Sequence, residues 1–371
     1  MILGEVFKGL RDGPRTAGIE IEVEKCHGGS QDCNLWQCKA DESLRSGGVE
    51  FITPPILMDD VGEYLSQFYH AKNIHGWEGN IRTGIHAHFD VRDFTIENLA
   101  ALTCVNVLVE PGLFEFVGPI REECIYCVPW YRAPNDIRRI GTDLNLIRTD
   151  MTPARETIDY WRGALSKYTS LYFEPIRRFG TVEFRQAPTW NNGAEAHTWL
   201  MLLNNLIEYA ATRSPQEVMA QWHSFDSPRR FFRAVTGGVW LPSKGYGVRV
   251  NNLPCELLAE EVAAPWMDED VVADKGWHRI DQVRAEPEKG EEYEGVFTKY
   301  QMIDEGLPSL AQVSAQMYTQ SAFISQGGTT TMTSEPAAMP PADPVPSPTF
   351  DWLDDALLED ENEDGELHDH L

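Results

Sequence analysis

The chain has 371 residues, of which 42% are hydrophobic, enough to bury a sizeable core as one large domain or two ordinary ones. Its formal net charge of −27 repels nucleic-acid phosphates and argues against a role in reading DNA or RNA. Seven scattered cysteines, an odd number, argue against a secreted disulfide framework.

Met1 to Gly13 carries no long apolar core, so no signal peptide is expected. The most apolar run, Leu99 to Val109, is too short to span a bilayer before it meets Glu110 and Pro111. The expectation is a soluble, cytoplasmic protein with neither membrane nor nucleic acid as partner.

In chain order, Gly18-Ile19-Glu20-Ile21-Glu22-Val23-Glu24 alternates with period two and predicts a strand with one apolar and one acidic face. Gly48 to Thr53 predicts a second strand, stopped by Pro54-Pro55, and Ile85-His86-Ala87-His88-Phe89-Asp90-Val91 a third. Thr95 to Val109 predicts a helix with a capping Thr-x-x-Asn start. Thr181-Val182-Glu183-Phe184-Arg185 is a fourth strand, and Ala194 to Thr212 has its apolar residues at helical spacing. Strands with charged faces, interleaved with helices, predict an α+β fold whose sheet cups a polar site.

Beyond Arg213 the periodicity weakens, with Gly-rich loops such as Gly237-Gly238 and Gly245-Tyr246-Gly247. From Gly327 the composition turns to Thr, Ser, Pro and Ala, then to Asp and Glu, which predicts disorder. The expected organisation is a catalytic core over residues 1–213, an extension of unassigned role over 214–326, and an acidic tail over 327–371. The last Lys or Arg is Lys299, so much of the negative charge belongs to that tail. Within it Phe350, Leu353 and Leu357 stand at i, i+3 and i+7 in an acidic run. That pattern suits a helix docking on a basic-rimmed protein partner, or a purely solubilising tail.

Glu20, Glu22 and Glu24 share a strand face at spacings of about 7 Å. Such a row is either a solvated edge or a place where cations sit between carboxylates, and hard oxygen donors suit Mg²⁺ or Mn²⁺. Glu50 on the same sheet would complete an acidic cup. His86 and His88 form a second same-face pair, with Asp90 continuing the row. They can touch metal or donate to phosphate, and zinc is an alternative ion for them with a carboxylate. Glu183 and Arg185 share a face: either a plain ion pair, or an Arg that acts as a bidentate fork for a transferring phosphoryl group.

These motifs resemble the amidoligase family of the glutamine-synthetase-like carboxylate–amine ligase superfamily. The likeness is carried by Gly18-Ile-Glu20-Ile-Glu22; by Trp36-x-x-Lys39-x-Asp41-x-Ser43-Leu44, leading to Gly48-Val-Glu50-Phe-Ile-Thr-Pro54; by Gly84-Ile-His86-Ala-His88-Phe-Asp90; and by Lys167-Tyr168 followed by Gly180-Thr-Val-Glu183-Phe-Arg185. It covers roughly residues 15–212. The resemblance implies a glutamine-synthetase-like fold, with a curved antiparallel sheet cupping ATP and divalent metals and helices on the outer face. It implies that Glu20, Glu22, Glu50 and Glu183 hold Mg²⁺ or Mn²⁺. His86 and His88 would then act at the metal or phosphate, with His88, Lys167 and Arg185 on ATP. It further implies amide formation through an acyl phosphate between a carboxylate and an amine, on a peptide, protein or cell-wall-like substrate. Family members are frequent in bacteriophages, which places such an enzyme in the host cytoplasm.

The chain departs from the family pattern where Lys167 stands for an Arg, Tyr172 for an Asn, and Gln186-Ala187-Pro188-Thr189 follows the Glu-x-Arg strand. These positions bear on substrate or nucleotide contacts rather than on the metal core. A metal-dependent hydrolase using the same Glu/His cup, or a non-catalytic interaction protein, are the competing expectations. Cys124-x-x-Cys127 has redox or zinc spacing without a second pair at zinc-ribbon distance, and Cys26, His27, Cys33 and Cys38 can make a small metal knot; both read first as ordinary thiols. Arg138-Arg139 and Arg177-Arg178 read as solvated basic pairs.

Overall fold

The alternating apolar and acidic residues at the start of the chain form β1 (Thr16–Val23), the middle of an open antiparallel sheet. The computed structural model describes residues 1–41, 43–239 and 253–267, all within one compact unit. On one side β1 pairs with β3 (Val49–Ile52), and beyond it lies β2 (Gln37–Ala40). On the other side β1 pairs with β5 (Gly84–Asp90), followed by β7 (Thr181–Pro188) and β6 (Leu171–Tyr172). The short β4 (Ile56–Leu57) pairs with the start of β1. Every pairing between these strands is antiparallel, and the interleaved helices make the fold α+β.

The helices are α1 (Leu3–Val6), α2 (Val61–His75), α3 (Ile96–Val117), α4 (Pro119–Glu122), α5 (Pro134–Arg148), α6 (Ala154–Ala164), α7 (Pro175–Phe179), α8 (Gly193–Ala211), α9 (Pro215–Ser224), α10 (Pro228–Val235) and α11 (Leu253–Ala263). The four predicted strands appear as β1, β3, β5 and β7, and the two predicted helices as α3 and α8. The alternation splits the sheet into two faces. Ile19, Ile21, Phe51, Ile85, Ala87, Phe89, Val182 and Phe184 are fully covered, with α3 against β7 and α8 against β5. Each of these Ile, Val and Phe side chains contributes about 1.5–3 kcal/mol of transfer free energy.

Helix α3 starts as its sequence predicts: the Thr95 side chain accepts from the Asn98 N–H at 3.1 Å, and Asn98 Oδ1 accepts from the Thr95 N–H at 3.0 Å. It does not end at Val109 but runs through Pro111 to Val117. Pro111 removes one helical donor, and the burial of Leu113, Phe114 and Phe116 outweighs that loss. Among the described residues α3 is the one helix long and apolar enough to cross a bilayer; here it lies inside the fold, covered along most of its length.

Helices α9, α10 and α11 pack on α3, so the same core continues past residue 213. Gly112 makes the close approach possible: a Cβ there would lie 2.7 Å from the Phe232 ring. Residues 268–371, with the Pro-rich and acidic segment, and the 245–247 loop fall outside the described residues.

Candidate metal centre

The register of the sheet assembles the cup. Glu20 stands opposite His86, Glu22 opposite Glu50, and His88 opposite Glu183. Directly opposed residues put their Cβ atoms about 4.5–5.5 Å apart, so residues distant in sequence become contacts. Glu20 is the hub. Its Oε1 lies 3.2 Å from His88 Nε2, and its Oε2 lies 3.3 Å from His86 Nδ1. His86 Nδ1 also lies 3.4 Å from Glu183 Oε1. Two sets of donor atoms therefore lie close enough to share an ion: Glu20, His88 and Glu183, and Glu20, Glu50 and His86. Glu20 belongs to both.

Charge in the cup is strained. Burial and then the adjacent Glu20 charge raise the Glu50 carboxyl well above the usual carboxylate range, and Glu50 hydrogen-bonds to Glu20. Burial would raise Glu20 too, but His88 first, then the hydrogen bonds from both imidazoles, hold it well below that range. His88 is opposed by burial and raised by Glu20, with a net upward shift. Its Nδ1 lies 3.1 Å from Thr181 Oγ1, which fixes the ring. Clustered acids that share protons, with imidazoles between them, are the donor set for a divalent cation held by oxygen and nitrogen. A bound ion would replace the Glu50 proton, so the residues present fit one.

Glu22 is brought to the cup, but one of its oxygens is already used. Its Oε2 accepts from the Gly84 N–H at 2.6 Å, and its Oε1 lies 3.9 Å from His86 Nε2, outside the two tight donor sets. Glu24 continues the row only in sequence: its carboxylate takes the Arg45 N–H at 3.0 Å and Asn80 Nδ2 at 2.8 Å. Asp90 serves structure as well, bound by Arg92 at 2.7 Å.

Arg185 shares the cup face with Glu183 by strand parity, and just beyond it β7 carries a bulge. Ile85 pairs with Ala187 and Ala87 with Phe184, so β7 spends one residue more than β5 across His86. Arg185 faces the cavity while Ala187 returns to the core. Its Nη1 donates to Glu183, and its buried Nε has no hydrogen-bond partner among the described residues. Arg185 and Glu183 are thus an ion pair and part of the cup together.

The cavity, about 340 Å³, is lined by the acidic and imidazole side chains of Glu20, Glu22, Glu50 and His86 and by a cationic wall of Arg82, Arg121, Lys167 and Arg185, with Asp41, Ser43, Tyr126 and Tyr168 completing the lining. Lys167 Nζ sits 5.3 Å over the Tyr168 ring. Arg121 is immobilised, with Nε donating to the Gln186 carbonyl and Nη2 to the Arg185 carbonyl, both at 2.9 Å. Arg82 and Arg121 lie in irregular or short helical segments with no periodic signal, which is why sequence reasoning did not single them out. The remaining basic pairs are structural: Arg138 bonds Glu261, and Arg177 and Arg178 bond Glu174. Among the described residues no candidate cation-binding group contains a cysteine. No protein-family model and no curated protein matches the chain.

Proposed function

We propose that this protein is an ATP-dependent carboxylate–amine ligase that works with Mg²⁺ or Mn²⁺ on a glutamine-synthetase-like sheet. The observation that carries the reading is one cavity lined both by a carboxylate, Glu20, that is common to two donor sets and by four cationic side chains. Glu20, Glu50 and His86 would hold one ion, and Glu20, His88 and Glu183 a second. Bound there, the ions supply charge neutralisation to a polyphosphate.

The chain's own residues do the rest. Arg185, fixed by Glu183 and with Nε unpaired among the described residues, is preorganised to donate to a phosphoryl oxygen. Lys167 and the immobilised Arg121 hold the remaining phosphates. Asp41, on the acidic margin, attracts an ammonium. The reaction class is phosphoryl transfer to a carboxylate, followed by attack of an amine on the acyl phosphate with release of phosphate. A peptide, a protein or a cell-wall-like acid and amine are the substrates this chemistry takes.

The imidazole in each donor set favours a second reading, a zinc- or manganese-dependent hydrolase. Calorimetry separates the two. The ligase binds ATP only with Mg²⁺ or Mn²⁺ present and releases ADP and phosphate when carboxylate and amine are both supplied. Absence of nucleotide binding at saturating metal, with tight zinc binding, would establish the hydrolase instead.

A further inference from the structure

The turn that brings Tyr126 to the cavity is bounded by two cysteines. Cys124 and Cys127 follow α4, and the Cys127 N–H donates to the Cys124 carbonyl at 3.3 Å, the i to i+3 bond of a β-turn. Such a turn holds its end Cα atoms within about 7 Å, and a disulfide spans roughly 4.4–6.8 Å. The two thiols are close enough for each to set the other's protonation.

They are also unequal. Cys124 is partly exposed, whereas Cys127 is fully covered, its Sγ 3.0 Å from the Arg121 carbonyl oxygen. The hydrogen bond from Cys127 brings the Cys124 thiol down to about 6; burial opposes this, and Arg121, with Nη1 3.8 Å from the sulfur, adds to it. The same hydrogen bond, then burial, push Cys127 upward. The other five thiols contrast with this: burial pushes Cys26, Cys33, Cys38, Cys104 and Cys255 up. An accessible thiolate in front of a covered thiol is the arrangement in which the first attacks a disulfide and the second resolves it.

We propose that Cys124 and Cys127 are a reversible disulfide site for low-molecular-weight disulfides such as oxidised glutathione, and that through Arg121 the site sets the charge on the cationic wall of the cup. The Cys124 thiolate attacks one sulfur of the oxidised thiol, forming a mixed disulfide and expelling one thiolate. Cys127 gives up its proton and attacks the Cys124 sulfur, expelling the second thiolate. The protein pair is oxidised by two electrons, and the small disulfide is reduced to two thiols. In the reduced protein the Cys124 thiolate offsets Arg121; in the oxidised protein that negative charge is gone and the wall is more positive by one unit. The disulfide chemistry stands without the proposed function, while its effect on ligands rests on the cavity being an anion site.

The test uses the full-length chain in glutathione redox buffers at neutral pH, read by mass and by alkylation of the remaining thiols. The expected product has a Cys124–Cys127 bridge with five alkylatable cysteines. Cys127→Ser should accumulate a glutathione adduct on Cys124, and Cys124→Ser should form neither adduct nor bridge. Magnesium tripolyphosphate should bind the oxidised form about three- to tenfold tighter, the size expected of one unit charge acting across a partly solvated cavity. Cys124→Ser should remove that redox dependence. An unmodified Cys124, a bridge elsewhere, or equal affinity of the two redox forms overturns the proposal. Failure of the reduced protein to bind tripolyphosphate would instead count against the anion wall and the proposed function, with the disulfide still decided by mass.

Discussion

Glu20→Gln is the most informative single change, because its two oxygens serve different histidines. Oε1 is 3.2 Å from His88 and Oε2 is 3.3 Å from His86, so the isosteric amide keeps the packing while removing one charge from both donor sets. Unit charges 4 Å apart interact by about 4 kcal/mol at an effective dielectric near 20; dehydration and competing protonation cancel much of the larger attraction of a divalent ion. A net loss of about 2–3 kcal/mol per site follows, or roughly 30- to 150-fold in Kd. Glu50→Gln and Glu183→Gln should each weaken one site and spare the other, and their effects should add. Mn²⁺ titration followed by electron paramagnetic resonance or calorimetry reads stoichiometry and affinity together. If Glu20→Gln weakens one site only, or does no more than Glu22→Gln, the shared-ligand geometry is refuted.

Three further outcomes are expected. Arg185→Ala should leave metal affinity unchanged or slightly tighter, since it frees Glu183, yet cut ATP turnover by about 10²–10³, as steady-state kinetics beside metal titration would show. In metal-free protein the raised Glu50 and His88 shifts stabilise the fold fully below the ordinary values of 4.5 and 6.5, and this stability is lost as pH rises through their higher folded values. Glu20, held low, contributes the opposite way and loses its share only as pH falls below 4.5. Calorimetry in chelator should therefore show Tm falling as pH rises above 4.5 and further above 6.5, and the gain on adding Mn²⁺ growing over the same rise; a flat profile would contradict the charge assignment. Gly112→Ala puts a methyl 2.7 Å from the Phe232 ring and should cost about 1–3 kcal/mol in denaturant unfolding, with one cooperative transition if residues beyond 213 share the core.

The chain's local pattern determined a good deal by itself. Period-two alternation marked β1, β3, β5 and β7 and put Glu20, Glu22, Glu50, His86, His88, Glu183 and Arg185 on polar faces, because side-chain direction in a strand depends only on position parity. The Thr95–Asn98 cap and the helical spacing of α8 were equally local. The same parity placed Glu24 and Asp90 in the row, yet each is consumed by a neighbour from elsewhere in the chain or turn, which parity cannot see. Short strands such as β2 and β6 hold too few residues to show a period. The return of Ala187 to the core depends on a bulge, and a bulge is set by which strand lies alongside. Only the tertiary structure decided that β1 lies between β3 and β5, with β7 next to β5. That order makes Glu20 common to two donor sets and brings Arg82 and Arg121 to the cavity it lines. These contacts join residues tens to more than a hundred positions apart, and the apolar packing of α3 and α8 behind the sheet, rather than any local propensity, holds them together.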